Sequence, residues 1–96
     1  MANEKHGRSI SKDEFDKMHK TFKSKNPEKT HAVLFHKDSI QRVLNTPGAE
    51  SVRICFGEND NGENTVMILA TDAQGSNLYT AIEDRGQLCP PYCSNT

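Results

Sequence analysis

Two alternating segments and the turn between them decide the fold: VRICFGENDNGENTVMILA, residues 52–70. Apolar side chains occupy every second position of each segment: Val52, Ile54 and Phe56, then Val66, Ile68 and Ala70. A period of two places alternate side chains on one face of a β-strand. Asn61-Gly62 lies between the segments and is a strong hairpin signal, because both residues tolerate the positive φ of a tight turn. This stretch therefore predicts two antiparallel strands.

Further strands are expected on both sides of this hairpin. The turn Asp72-Ala73-Gln74-Gly75 leads to residues 78–82, whose pattern does not separate strand from helix. A strand is favoured there, since a meander needs only a tight return. Earlier in the chain, the apolar run Ala32–Phe35 has the length and the β-branched and aromatic content of a short strand.

A long helix is predicted before the first strand. Ser11 suits its N-cap, and Glu14 completes a capping box three residues later. The helix should end near Lys25, because Pro27 disfavours the α conformation at the residue before it. One narrow apolar stripe recurs at helical spacing: Phe15, Met18 and Phe22.

A short second helix is predicted between the first two strands. Asp38 can cap it, with Gln41 at the capping-box position, and residues 45–48 should end it. Its buried side is expected to consist of Ile40, Val43 and Leu44.

These elements predict an α+β fold, with a small, mostly antiparallel sheet of three to four strands, one long helix and one short helix. We expect the long helix to lie across the apolar face of the sheet through Phe15, Met18 and Phe22. A chain of 96 residues with a 33% hydrophobic share has room for one core. The predicted divisions are a flexible leader at 1–9, a single domain at 10–86 and a Cys/Pro tail at 87–96.

Charge is divided unevenly along the chain. Residues 1–37 hold nine Lys/Arg and five acids, a balance of +4, whereas the remainder holds three Arg and eight acids, a balance of −5. Such polarity can guide a head-to-tail contact between copies or a nucleic-acid partner, although lysines on the solvent face of one helix also explain it. No helix-turn-helix or aromatic sheet motif accompanies the lysines, so sequence-specific nucleic-acid recognition is not expected.

No membrane association is expected either. The longest apolar stretches, Ala32–Phe35 and Val66–Ala70, are far too short to span a bilayer, and Met1–Arg8 has no apolar region typical of a signal peptide. A cytoplasmic location is therefore predicted.

The tail holds the most unusual local feature, Cys89-Pro90-Pro91-Tyr92-Cys93. Its thiols, four residues apart, could form a disulfide, supply half of a zinc or iron site, or offer a thiolate to haem. Cys89 and Cys93 are accordingly the candidate metal ligands. The alternative is that the tail packs on the domain, with Leu88, Pro90, Pro91 and Tyr92 as contact residues. No cofactor is predicted.

A zinc site would need two further ligands, and the remaining soft donors are Cys55, His6, His19, His31 and His36. None has a paired spacing typical of zinc. His31 and His36 bracket the first strand, point to opposite faces and are predicted to be strand-end or surface residues. Ser39, His36 and Asp38 are neighbours, but adjacency in sequence is not triad geometry, so no catalytic residue is predicted.

Four motifs together resemble a group of small uncharacterised bacterial proteins with a C-terminal CPPxC tail: Ile54-Cys55-Phe56-Gly57, Asn61-Gly62, Asp72-Ala73-Gln74-Gly75 and Gly86–Cys93. The resemblance covers roughly residues 30–93. It implies a shared fold and a bacterial source, and no activity.

The sequence therefore favours a non-enzymatic module that binds a protein partner or assembles with itself. A thiol, disulfide or metal site in the tail is the alternative function. A third is weak, nonspecific nucleic-acid binding through the lysine-rich helix, which would fall steeply with salt.

Overall fold

Two helices and five strands are present in residues 6–93, the part of the chain that the computed structural model describes. In chain order they are α1 (Lys12–Lys25), β1 (Ala32–Leu34), α2 (Lys37–Leu44), β2 (Ser51–Glu58), β3 (Asn64–Thr71), β4 (Asn77–Glu83) and β5 (Gln87–Cys89). All strand pairs are antiparallel. The predicted α+β fold, with one long and one short helix, is confirmed.

The strands form two separate sheets. The larger has the order β2-β3-β4, and its β2/β3 register runs without interruption from Ser51 opposite Thr71 to Glu58 opposite Asn64. The segment at 78–82 lies in β4 and is a strand, as favoured. The run at 32–35 was expected in the same sheet. Instead, β1 pairs with β5, because the tail offers it a free strand edge.

Both predicted turns are present, and side chains stabilise each of them. In the hairpin, Gly62 has a φ of 79°, and Oδ1 of Asn59 accepts hydrogen bonds from the backbone N–H groups of residues 61 and 63. In the second turn, Gly75 has a φ of 80°, and Oδ1 of Asp72 accepts from residues 74 and 76. These side-chain acceptors bind backbone N–H groups of the turn, which have no partner in the neighbouring strand.

Helix α1 has the predicted limits but not the predicted packing. Oγ of Ser11 accepts from the Glu14 N–H at 3.1 Å, and the helix ends at Lys25. None of its residues is buried, and three apolar side chains remain largely exposed: Phe15 (54%), Met18 (66%) and Phe22 (42%). The expectation that this stripe is buried against the sheet is therefore corrected: it does not pack closely on the apolar face.

The short helix α2 covers the core instead. Val43 is fully buried with Ile68 and Ala70 of β3, and Phe35, Ala49 and Leu78 pack around them. Six residues connect α2 to β2 with a turn at 45–48, which holds this helix close to the sheet.

Two details of the prediction for α2 are corrected. His36 is the N-cap rather than Asp38, because Nδ1 of His36 accepts from the Asp38 N–H at 3.1 Å. Of the expected buried side, Ile40 and Leu44 remain 37% and 51% exposed, and Val43 is the one buried residue of this helix.

Neither described helix has the length and apolar character needed to cross a bilayer. The predicted leader and tail fall partly outside the described residues, at 1–5 and 94–96. Residues 6–11, which are described, have no regular secondary structure.

Replacing Val43 with alanine should lower the free energy of unfolding by about 2 kcal/mol, because it removes two buried methyl groups and leaves a cavity. Met18→Ala is the matched control in α1 and should change stability by less than about 0.5 kcal/mol. Urea denaturation of both variants measures the difference. Equal losses would show that α1 contributes to the core as much as α2.

An ion pair between α2 and β4 should make stability depend on pH. The Arg42 guanidinium donates to Oε1 and Oε2 of Glu83 at 2.8 and 3.1 Å. Hydrogen bonds from Arg42 and then Ser39 lower the pKa of Glu83 below its ordinary 4.5. A carboxyl whose folded pKa is depressed stabilises the fold above its unfolded pKa, and this contribution disappears as the pH falls through the folded pKa.

Glu83→Gln should therefore unfold at a lower temperature than the parent at neutral pH, and the gap should close below pH 4.5. Thermal unfolding followed by circular dichroism between about pH 7 and about pH 3 measures it. Met18→Ala removes no titratable group, so it is the control and should keep a constant offset. A gap for Glu83→Gln that persists in acid would contradict the assignment.

Candidate thiol and imidazole site

Cys89 and Cys93 form a disulfide, with their Cα atoms 4.8 Å apart. Cys89 ends β5 and is 3% exposed, whereas Cys93 is exposed to solvent. The tail turns back between them, and the Tyr92 N–H donates to the Leu88 carbonyl at 2.9 Å. One thiol is therefore fixed by a strand, and the other is presented at the surface.

His31 is the third member of this site. Its backbone N–H donates to the Cys89 carbonyl at 2.8 Å, which extends the pairing of β1 with β5 by one residue. Nε2 of His31 lies 3.4 Å from Sγ of Cys89 and 4.0 Å from Sγ of Cys93. The ligand atoms of all three side chains lie within 4.8 Å of one another.

His31 lies at the end of a strand, as its position in the sequence predicts, but its proximity to the thiols was not predicted. His31 and Cys89 are 58 positions apart, so only the pairing of β1 with β5 brings them together. A signal was nevertheless present in the sequence. His31 directly precedes one short segment that can form a strand, Cys89 ends another, and two such segments can pair with each other. His36 lies elsewhere, at the start of α2.

The surroundings of His31 favour its neutral form. Partial burial lowers its pKa below 6.5, and the nearby charges of His19 and Lys23 lower it further. The His19 ring meets the His31 ring edge to face, with centroids 5.1 Å apart. A neutral imidazole has one free nitrogen lone pair, which can accept a proton from a thiol or bind a metal ion.

Three kinds of chemistry are open to this arrangement. The two thiols can cycle between dithiol and disulfide by exchange with an external disulfide, which is reduced to two thiols in the same step and reverses it when it is in the reduced form. In the reduced chain, His31 can accept a thiol proton and increase the thiolate fraction. Two thiolates and one imidazole are also a suitable donor set for a zinc ion.

The predicted contact residues of the tail divide into two groups. Leu88 is half-buried in β5, opposite Val33 of β1. Pro90, Pro91 and Tyr92 are exposed, with Tyr92 at 64%. Cys55, the remaining thiol, is free and half-buried in β2.

A second candidate site is an apolar groove of about 600 Å³ between α1 and the β2-β3 face. On one wall are the exposed side chains Phe15, Met18 and Phe22 of α1, and on the other are Ile54 and Phe56 of β2. Ile54 and Phe56 are 60% and 87% exposed. Apolar residues thus face each other across a space that the described chain does not fill.

No protein-family model matches the chain, and neither does any curated protein or solved structure. The function is therefore inferred from the geometry of these two sites.

Mild oxidation should remove two hydrogens from the intact chain, and a reductant should restore them, because Cys89 and Cys93 are positioned to form an intramolecular disulfide. Mass spectrometry of the intact protein measures the change. Cys89→Ser should abolish this reversible change, whereas Cys55→Ser, the matched control, should leave it intact. A change that requires Cys55 would contradict the pairing.

Proposed function

We propose that the chain is a non-enzymatic self-assembly module, whose apolar groove receives the same region of a second copy. The observation that carries this proposal is the exposure of apolar side chains on both walls of the groove, above all Phe56 at 87%. Large exposed apolar patches are typical of interaction sites, since water contact with them is unfavourable.

The edge of the sheet supports a second copy as the occupant. Strand β2 is an edge strand of the β2-β3-β4 sheet, and no described strand pairs with its outer side. It is eight residues long, contains no proline and pairs with β3 without a bulge. Long, regular edge strands with exposed apolar residues are prone to pair with another chain unless they are protected.

Charge complementarity favours the same partner. Residues 1–37 carry a balance of +4 and the remainder −5. Five lysines lie on α1, whereas three acids lie at the β2-β3 hairpin, namely Glu58, Asp60 and Glu63. In a two-fold dimer the same patch is used by both copies, so each basic helix can face the partner's acidic hairpin.

The proposed setting is the cytoplasm, and neither a membrane nor a specific nucleic acid is part of the proposal. In that compartment glutathione and thioredoxin keep most thiols reduced, so Cys89 and Cys93 would rest as a dithiol. The thiol and metal alternative is favoured by a different observation, the convergence of His31 on both sulfurs.

Phe56→Ser should weaken self-association by at least about 100-fold, because burial of a phenylalanine contributes about 1.5 to 3 kcal/mol at each of two symmetric positions. Light scattering coupled to size-exclusion chromatography, over a range of concentrations, measures the monomer fraction. Leu34→Ser is the matched control, since Leu34 is 67% exposed but does not line the groove. This control should associate like the parent.

A parent chain that stays monomeric at high concentration would overturn the proposal. So would equal effects of Phe56→Ser and Leu34→Ser. If a monomeric parent instead bound an amphipathic helical peptide, the groove would serve a different protein and self-assembly would be wrong.

A further inference from the structure

We propose that the reduced chain binds one zinc-class divalent ion through Cys89, Cys93 and His31, and that disulfide formation releases it. This inference does not rest on self-assembly, because the three ligands all belong to one chain. Cys89 and Cys93 lie outside the apolar groove, whereas His31 is one of the residues that line it. Sulfur and imidazole nitrogen are the donors that such ions prefer.

The two distances from the imidazole nitrogen of His31 to the sulfurs are already close to those of a shared zinc ion. A tetrahedral zinc ion with Zn–S of about 2.3 Å and Zn–N of about 2.05 Å places sulfur and nitrogen roughly 3.5 Å apart. Nε2 of His31 is 3.4 Å from Sγ of Cys89 and 4.0 Å from Sγ of Cys93. The imidazole therefore needs little movement to bind an ion that both sulfurs also bind.

The distance between the two sulfur atoms must increase before an ion can bind. Two thiolates on one tetrahedral zinc are about 3.8 Å apart, farther than two sulfurs joined by a covalent bond. Breaking the bond of the disulfide allows them to separate by rotation of the Cys side chains. Cys93 lies beyond the end of β5 and is exposed, so its side chain can move while Cys89 stays fixed.

Backbone hydrogen bonds position the ligands before any ion arrives. The His31 N–H donates to the Cys89 carbonyl at 2.8 Å, which holds these two ligands beside each other. The Tyr92 N–H donates to the Leu88 carbonyl, which holds the turn that brings Cys93 back toward Cys89. Two thiolates and a neutral imidazole carry a charge of −2, which a divalent ion neutralises. Three protein ligands leave a fourth position for water or an external ligand, as in zinc sites that are not closed.

Metal binding and the disulfide exclude each other, because they use the same two sulfurs. An oxidising low-molecular-weight disulfide takes two electrons from the thiolates and becomes two thiolates itself. The protein gains one S–S bond, and the ion leaves as a divalent cation. The site is thus a redox-gated metal site.

The test uses the full chain, reduced with a phosphine that is then removed, and zinc added against a chromophoric chelator. Native mass spectrometry should show one zinc ion per chain, and cobalt as a substitute should give thiolate-to-cobalt charge-transfer absorption. His31→Ala should weaken zinc binding by more than about 100-fold, since loss of a direct ligand should exceed the effect of losing an outer-shell partner.

Matched controls separate the site from the other donors of the chain. His36→Asn keeps an acceptor at the cap of α2, and Cys55→Ser removes the free thiol, so both should bind zinc like the parent. The oxidised parent needs no mutation, retains the described fold and should not bind. Circular dichroism checks that His31→Ala folds, and His31→Gln is the second variant if it does not.

Four results would overturn the inference. These are a reduced parent that does not bind zinc, His31 variants that bind like the parent, a Cys55→Ser variant that loses binding, and one ion shared by two chains.

Discussion

The antiparallel register of β2 and β3 determines where the other elements can lie. Eight consecutive residue pairs place Ile54, Phe56, Ile68 and Ala70 on one face of the sheet. A slip of one residue would turn the apolar side chains of the shifted strand to the opposite face, away from those of its partner. With this register, α2 can bury Val43 against β3, and the exposed end of the same face forms one wall of the groove. Core and groove are two parts of one surface.

A second backbone pairing, between β1 and β5, creates the thiol and imidazole site. It contains only three residue pairs, but it brings His31 to the end of the chain. Without it, Cys89 and Cys93 would be an isolated thiol pair on a polar tail. The larger sheet thus contributes to the core, and the smaller sheet brings together side chains that are distant in the sequence.

The sequence predicted the elements better than their packing. Local signals were sufficient for α1, because Ser11 and Pro27 mark its ends, and for the hairpin, because Asn61-Gly62 lies between two alternating strands. The burial of α1 was mispredicted because an apolar stripe such as Phe15, Met18 and Phe22 has the same pattern whether it faces a core or an open groove. Burial depends on tertiary contacts, which periodicity does not encode. The thiol pair was visible in the sequence, whereas His31 depended on a long-range pairing.

The 58 positions between His31 and Cys89 also give the site a topological role. The disulfide closes a loop across a sequence separation of 4, whereas an ion bound by His31 and Cys89 would close one across 58. The entropy that a crosslink removes from the unfolded chain grows with the logarithm of loop length, so the longer loop is worth about 2 kcal/mol more. Exchange of the ion for the disulfide would then replace a crosslink that spans most of the fold with one confined to its end.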